Sequence, residues 1–139
     1  MIKRMKTMND TLEQLYQVIL SRRSSGEEGS YTAYLFREGL DKILKKCGEE
    51  SAEVIIAAKA MEALEGWGAR SDGADSPVGG SETFACREAL KEEVCDLIYH
   101  LLVLLAEREI PLSEIKDKLD ERSMKTGNLK KKHESDPNS

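Results

Sequence analysis

Apolar residues recur along this chain at spacings of three and four, with almost none of the strict alternation that marks a half-buried strand, so the pattern predicts helices. Leu12, Leu15, Tyr16 and Ile19 form a first stripe, opened by Asp10 with Glu13 three residues on as a capping pair and ending near Arg23. Residues 21–29 read as a loop by composition. Ser30 caps a short helix over 31–38, and Gly39 suits the left-handed position that ends or kinks it. A long helix follows from about Leu40 to Leu64, with Ile43, Leu44, Cys47, Val54, Ile55 and Ala58 as its packing positions. Gly48 inside it costs roughly 1 kcal/mol against Ala, which a close backbone approach and simple tolerance explain equally well. Residues 66–81 read as an inserted flexible loop, with Trp67 able to anchor its start. The next helix begins near Glu82 or Thr83 and continues to about Glu107; Ile110-Pro111-Leu112 makes a turn, and Ile115 and Leu119 mark a last helix to about Met124. The expectation is one all-α domain over 1–124, a compact bundle of four to five helices, with residues 125–139 as a disordered tail.

Two interruptions of the apolar pattern matter most. In 48–56 the acids Glu49, Glu50 and Glu53 crowd an otherwise apolar helix, and in 92–100 the acids Glu92, Glu93 and Asp96 repeat the arrangement. At about 100° per residue, each set forms a short column along one side of its helix. Downstream of Asp96, residues 97–106 are apolar on nearly every side, which predicts a helix buried all round. Unpaired buried carboxylates are costly, so acids in such a setting are protonated, paired with cations or bound to metal.

Composition narrows the choice of partner. The net charge of −5 argues against nonspecific nucleic-acid binding, and Lys130-Lys131-Lys132 reads as a solubilising cluster in a tail. The apolar run after Asp96 is about ten residues long, too short to cross a bilayer, and no apolar segment follows the charged start as a signal peptide requires. Cys47, Cys86 and Cys95 are odd in number and form no C-x-x-C pair; Cys47 and Cys95 fall in apolar patterns and read as buried free thiols of a cytoplasmic protein.

Oxygen ligands without clustered His or Cys select a hard cation, Mg²⁺ first and Mn²⁺ second, and Mg²⁺ completes its shell with water and phosphate oxygens. Glu50, Glu53, Glu93 and Asp96 are the candidate metal ligands, with Glu49 a further ligand or the residue that directs the attacking water. Lys42 and Lys46, one to two turns earlier on the same side, are candidates for binding the anion, and His100, one turn after Asp96, for touching the metal shell or phosphate. The bland alternatives are surface acids paired with Lys and Arg, and a His bonded within the core. A di-iron bundle is set aside, because neither His100 nor His133 has Glu three residues before it.

Several separated motifs, in order, resemble the phosphoribosyl-ATP pyrophosphohydrolase family: Ser30-Tyr31-Thr32-Ala33, the run from Gly39 to Glu50, Glu53 to Lys59, Glu93, and the run from Asp96 to Leu105. The resemblance covers about Leu12 to Arg122. It implies a Mg²⁺-dependent all-α enzyme that hydrolyses phosphoribosyl-ATP to phosphoribosyl-AMP and pyrophosphate, the second step of histidine biosynthesis. It also implies metal ligands from E-E-x-x-E and a later E-x-x-D, here Glu49, Glu50, Glu53, Glu93 and Asp96, with Glu49, Glu50 and Glu53 carrying catalysis. A homodimer with helices of both chains packed together is implied as well. The stretch 66–81 is longer than usual for the family, and no Cys/His set supports the cyclohydrolase domain fused to some members. A dNTP or house-cleaning pyrophosphatase of the same superfamily is the nearer alternative, and a non-enzymatic helical interaction module the more distant one.

Overall fold

The computed structural model describes residues 7–68 and 80–125, and among them every regular element is an α-helix. The helices are α1 (Met8–Ser25), α2 (Tyr31–Glu38), α3 (Leu40–Gly68), α4 (Gly80–Glu107) and α5 (Leu112–Met124). Helices α3 and α4 form the most extensive pair, α1 packs on α4 and α2, and α2 packs on α3. This is the all-α bundle that the spacing of apolar residues predicts.

The helix ends follow local chemistry, with one correction. Helix α1 is opened by Thr7 and Asp10, not by Asp10 and Glu13: the Asp10 amide donates to Thr7 Oγ1 at 3.1 Å, and the Thr7 amide donates back to the Asp10 carboxylate at 3.2 Å. A threonine hydroxyl three residues ahead of an acid completes a reciprocal capping box, so the helix begins earlier than Asp10. Glu13 is thereby left inside the helix, where it accepts from Lys116 of α5 at 3.1 Å. Ser30 caps α2 as expected, accepting from the Ala33 amide at 3.2 Å. Gly39 lies between α2 and α3 at φ 88°, ψ −174°, a conformation closed to L side chains at little cost only to glycine. Gly48 has no such reason: a Cβ there meets nothing within 4 Å, so it is a tolerated glycine and no backbone approaches it.

The connections also differ in length. Helix α3 runs through Gly68 and α4 starts at Gly80, so both helices extend into the stretch read as a loop over 66–81. The rest of that stretch, the side chain of Trp67 and the tail from 126 lie outside the described residues. At its other end α4 is closed from α1. Arg23 donates to the Ala106 carbonyl at 2.8 Å, and the Tyr16 hydroxyl donates to the Ile110 carbonyl at 2.7 Å. Between these two points Glu109 adopts φ 56°, the only positive φ among the described non-glycine residues.

The core is built from Tyr16 and Ile19 of α1, Leu35 of α2, Ile43 of α3 and Leu102, Val103 and Ala106 of α4. It therefore occupies one part of the long α3–α4 pair. Beyond it, several residues expected to be buried are not: Leu44 is 46% exposed, Ile55 64% and Leu101 42%. Ala58 is exposed and Val54 only half-buried, so the described residues leave the second half of α3 uncovered, and residues 97–106 are not buried on every side. A 3.6-residue stripe marks which side of a helix is apolar, not whether the surface that covers it belongs to the same chain. Cys95 is likewise exposed and Cys47 half-buried, both free thiols, with burial pushing the Cys47 thiol pKa up.

Candidate active site

Glu50 and Glu53 lie one turn apart on α3 and face Glu93 across the pair, so that one carboxylate oxygen from each lies within 4.8 Å of the others. Glu50 is buried at 4% exposure, Glu93 is half-buried and Glu53 is exposed, so the trio forms an acidic floor that is covered at Glu50 and open to solvent at Glu53. Three carboxylates at this separation repel. The Glu53 carboxyl pKa is raised above its ordinary value, chiefly by its hydrogen bond to Glu50 and then by that residue's charge. Glu50 shifts the other way, because the Lys46 ammonium beside it holds its carboxyl below the ordinary range.

Lys46 is the nearest positive charge. Its Nζ lies 2.9 Å from Glu50 and 3.0 Å from Glu49, and these hydrogen bonds raise its own pKa. Glu49, lowered in turn by Lys46, also lies 3.6 Å from Lys45 and is not one of the clustered three. One lysine shared with Glu49 leaves Glu53 and Glu93 without comparable compensation. An all-oxygen donor set that retains excess negative charge fits a hard divalent cation and offers no soft ligand to a thiophilic one.

The remaining candidates fall around this floor. Asp96 is exposed and its carboxylate is not one of the three within 4.8 Å of one another; its backbone carbonyl accepts from His100 Nδ1 at 2.8 Å. The i,i+3 spacing of Glu93 and Asp96 puts both on one side of α4, and Glu93 is the one that lies within 4.8 Å of Glu50 and Glu53. His100 is buried, with Nδ1 also 3.6 Å from Glu50 and Nε2 at 3.1 Å from the Tyr31 hydroxyl, so both ring nitrogens are engaged within the protein. Lys42 lies 5.9 Å over the Tyr34 ring, a cation–π distance.

Tyr31 and Thr32 belong to a motif that sequence reasoning quoted without giving either residue a role. The structure joins them to α4: Tyr31 to His100, and Thr32 Oγ1 to the Tyr99 hydroxyl at 2.5 Å. The Tyr31 ring also stacks near-parallel to Tyr34 and Tyr99, with centroids 6.1 and 6.4 Å away. The only signal in the sequence was that Ser30-Tyr31-Thr32 and Tyr99-His100 both belong to the resemblance; their pairing across some 70 residues had none.

The family model described as phosphoribosyl-ATP pyrophosphohydrolase matches residues 12–123, a span that contains every residue of this site. The chain belongs to the phosphoribosyl-ATP pyrophosphohydrolase family. Among its relatives in that family, the phosphoribosyl-ATP pyrophosphatase of Clostridium novyi (strain NT) is 44% identical over 121 residues, covering 87% of this chain and 88% of that protein. The enzyme of the same name from Listeria innocua serovar 6a is 46% identical over 114 residues, covering 82% of this chain and 86% of that protein. The histidine biosynthesis bifunctional protein HisIE of Bacillus subtilis (strain 168) is 44% identical over 111 residues, which are 80% of this chain and 42% of that longer protein.

Proposed function

We propose that this chain hydrolyses phosphoribosyl-ATP to phosphoribosyl-AMP and pyrophosphate, the second step of histidine biosynthesis, with a divalent cation, Mg²⁺ before Mn²⁺, held by Glu50, Glu53 and Glu93. The observation that carries this reading is the convergence of those three carboxylates from α3 and α4, one buried and one open to solvent, in a chain of this family. A cation bound there would neutralise charge on the phosphate chain and acidify the attacking water.

The protein's own groups divide the remaining work. Lys46, whose Nζ lies 2.9 Å from Glu50, would supply positive charge to the substrate's phosphates beside a cation held by the three carboxylates. Glu49, paired with Lys45 and Lys46 and so held ionised, is the carboxylate beside the trio that would direct the water. Water adds to phosphorus, pyrophosphate departs, and the proton of the water passes to a carboxylate.

A second copy of the chain is part of this proposal. Ile55 at 64%, Ile56 at 67%, Phe84 at 62% and Val94 at 38% exposure leave the distal half of the α3–α4 pair apolar and uncovered. Next to it lies a cavity of about 400 Å³ lined mostly by apolar groups, including Met61, Leu90, Val94 and Ile98. Apolar surface on this scale marks an interface. No helix of the described residues is long and apolar enough to cross a membrane; the placement we propose is the cytoplasm, with a small nucleotide as substrate.

Pyrophosphate release from phosphoribosyl-ATP, with and without Mg²⁺, tests the reaction, with dUTP, dCTP and ATP as competing substrates and Glu53→Gln as the control. Turnover of phosphoribosyl-ATP alone, lost in the variant and without the ion, is the expected result. Turnover of the deoxynucleotides instead would move the chain to a house-cleaning role, and no turnover with metal-indifferent stability would leave a helical interaction module.

A further inference from the structure

The Tyr31 hydroxyl and the His100 ring are bonded to each other beside the acidic floor, and the direction of that bond can be deduced. A carbonyl oxygen only accepts, so the Asp96 carbonyl, 2.8 Å from His100 Nδ1, requires the proton to be on Nδ1. In the neutral ring Nε2 then carries only a lone pair. The Tyr31 hydroxyl at 3.1 Å is therefore the donor, and its single proton is committed inward. Burial pushes the phenol pKa up, so that proton is held at neutral pH, and Lys42 and Lys46 are close enough to act on it electrostatically.

What the phenol offers outward is consequently a lone pair. Tyr31 is 48% exposed, while His100 behind it is 5% exposed. His100 Nδ1 lies 3.6 Å from Glu50, so the phenol oxygen stands about one imidazole ring away from the metal-binding carboxylates. An ionised phosphate oxygen cannot donate to it. Uncharged O–H and N–H groups of a nucleotide can.

We infer that Tyr31 is a substrate-reading residue whose phenolic oxygen accepts a hydrogen bond from a sugar hydroxyl or base amine of the nucleotide, and that His100 is the positioning residue that fixes this polarity. The inference rests on the proposed reading of the site as one that takes a nucleotide over the acidic trio. It reassigns His100 from substrate contact to a role one residue removed. It also gives the Ser30-Tyr31-Thr32 and Tyr99-His100 motifs a shared purpose: the stacked Tyr34, Tyr31 and Tyr99 rings and the Thr32–Tyr99 bond hold the Tyr31 ring in place while His100 orients its proton.

Steady-state hydrolysis of phosphoribosyl-ATP decides it. Tyr31→Phe keeps the ring stack and removes only the oxygen, and the expected result is a KM raised about five- to tenfold with kcat within about twofold, the signature of a lost uniform binding contact. His100→Leu should reproduce that split, His100→Gln should restore much of the lost KM because its amide oxygen can replace Nε2 as acceptor, and Tyr31→Phe/His100→Leu should be no worse than Tyr31→Phe. Inhibition by ATP, 2′-deoxy-ATP, 3′-deoxy-ATP and purine riboside triphosphate then assigns the donor: the analogue that the wild type discriminates and Tyr31→Phe does not identifies a hydroxyl or the base amine. A raised KM with no such change places the donor on the phosphoribosyl sugar. An unchanged KM in Tyr31→Phe, a fall in kcat alone, or a His100→Gln variant as impaired as His100→Leu would overturn the inference. Should His100→Leu fail to fold, Tyr31→Phe and His100→Gln suffice. A wild type that releases no pyrophosphate would instead remove the proposed reaction, and this inference with it.

Discussion

Lys46→Met isolates the conflict between holding the metal-free site together and loading it. The substitution preserves the length of the stem and removes the ammonium that lies 2.9 Å from Glu50 and 3.0 Å from Glu49. Breaking a fully buried ion pair costs about 3–5 kcal/mol and breaking an exposed one about 0–1 kcal/mol. Here the Glu50 side chain is 6% exposed and Lys46 23%, while Glu49 is 41% exposed, so the cost falls between these limits, at about 2 kcal/mol. For a domain of this size that corresponds to a Tm lowered by roughly 6–10 °C at neutral pH without divalent ions. The penalty depends on pH with a definite sign. The Glu50 carboxyl is depressed below its ordinary 4.5, so the stabilisation from Lys46 is complete above that value and lost as pH falls through the lower folded value. The wild type and the variant should therefore converge in stability under acid. Metal affinity should move the opposite way: with the competing cation gone, Mn²⁺ binds about five- to thirtyfold more tightly, which is about 1–2 kcal/mol. Thermal melts across pH, with and without Mn²⁺, and calorimetric titration of Mn²⁺ provide both readings. A variant that melts lower yet binds Mn²⁺ no more tightly than the wild type would refute the idea that Lys46 occupies charge the metal needs.

Glu53→Gln should raise the Tm of the metal-free protein while abolishing Mn²⁺ binding and turnover. Its carboxyl is raised above the ordinary 4.5 by Glu50, so its charged form opposes folding above that range, and the variant's advantage should vanish in acid, where both carry no charge. Ile43→Ala, at a fully buried core position, should cost about 3 kcal/mol in urea unfolding and leave the hydrolytic KM unchanged. Thr7→Ala removes the hydroxyl that caps α1 and should cost about 1 kcal/mol by the same measurement. Ile56→Glu should shift the species seen by analytical ultracentrifugation from dimer to monomer, and a monomeric wild type would withdraw the proposed interface.

How much of this was legible beforehand depended on whether the cause was local. Ser30 and Gly39 were readable because a capping hydroxyl and a left-handed glycine act within one helical turn. Spacing puts Glu49 and Glu53 on one face of α3 with Glu50 at its edge, so it shows the acidic column but not that Glu50 and Glu53, rather than Glu49, meet Glu93. Asp96 shares one side of α4 with Glu93, and periodicity places two residues on one side of a helix without giving their distances to the neighbouring helix. The same limitation explains Ile55 and Leu101, apolar by pattern and uncovered in the single chain. Tyr31 and His100 illustrate the strongest limit: their bond is made by tertiary packing of α2 on α4, and no spacing rule spans that distance.

The closure of α4 by α1 bears on how far the chain can be trimmed. The Ala106 carbonyl in the last turn of α4 and the Ile110 carbonyl just beyond it are supplied with donors by Arg23 and Tyr16, and Glu109 keeps a backbone conformation that glycine would adopt more cheaply while its carboxylate lies 3.7 Å from Arg23. The first helix is thus a clasp on the last turn of the helix that carries Glu93 and His100. A minimal autonomous unit must begin upstream of Tyr16, and α3 through α5 expressed without α1 would have α4 unfastened at one end.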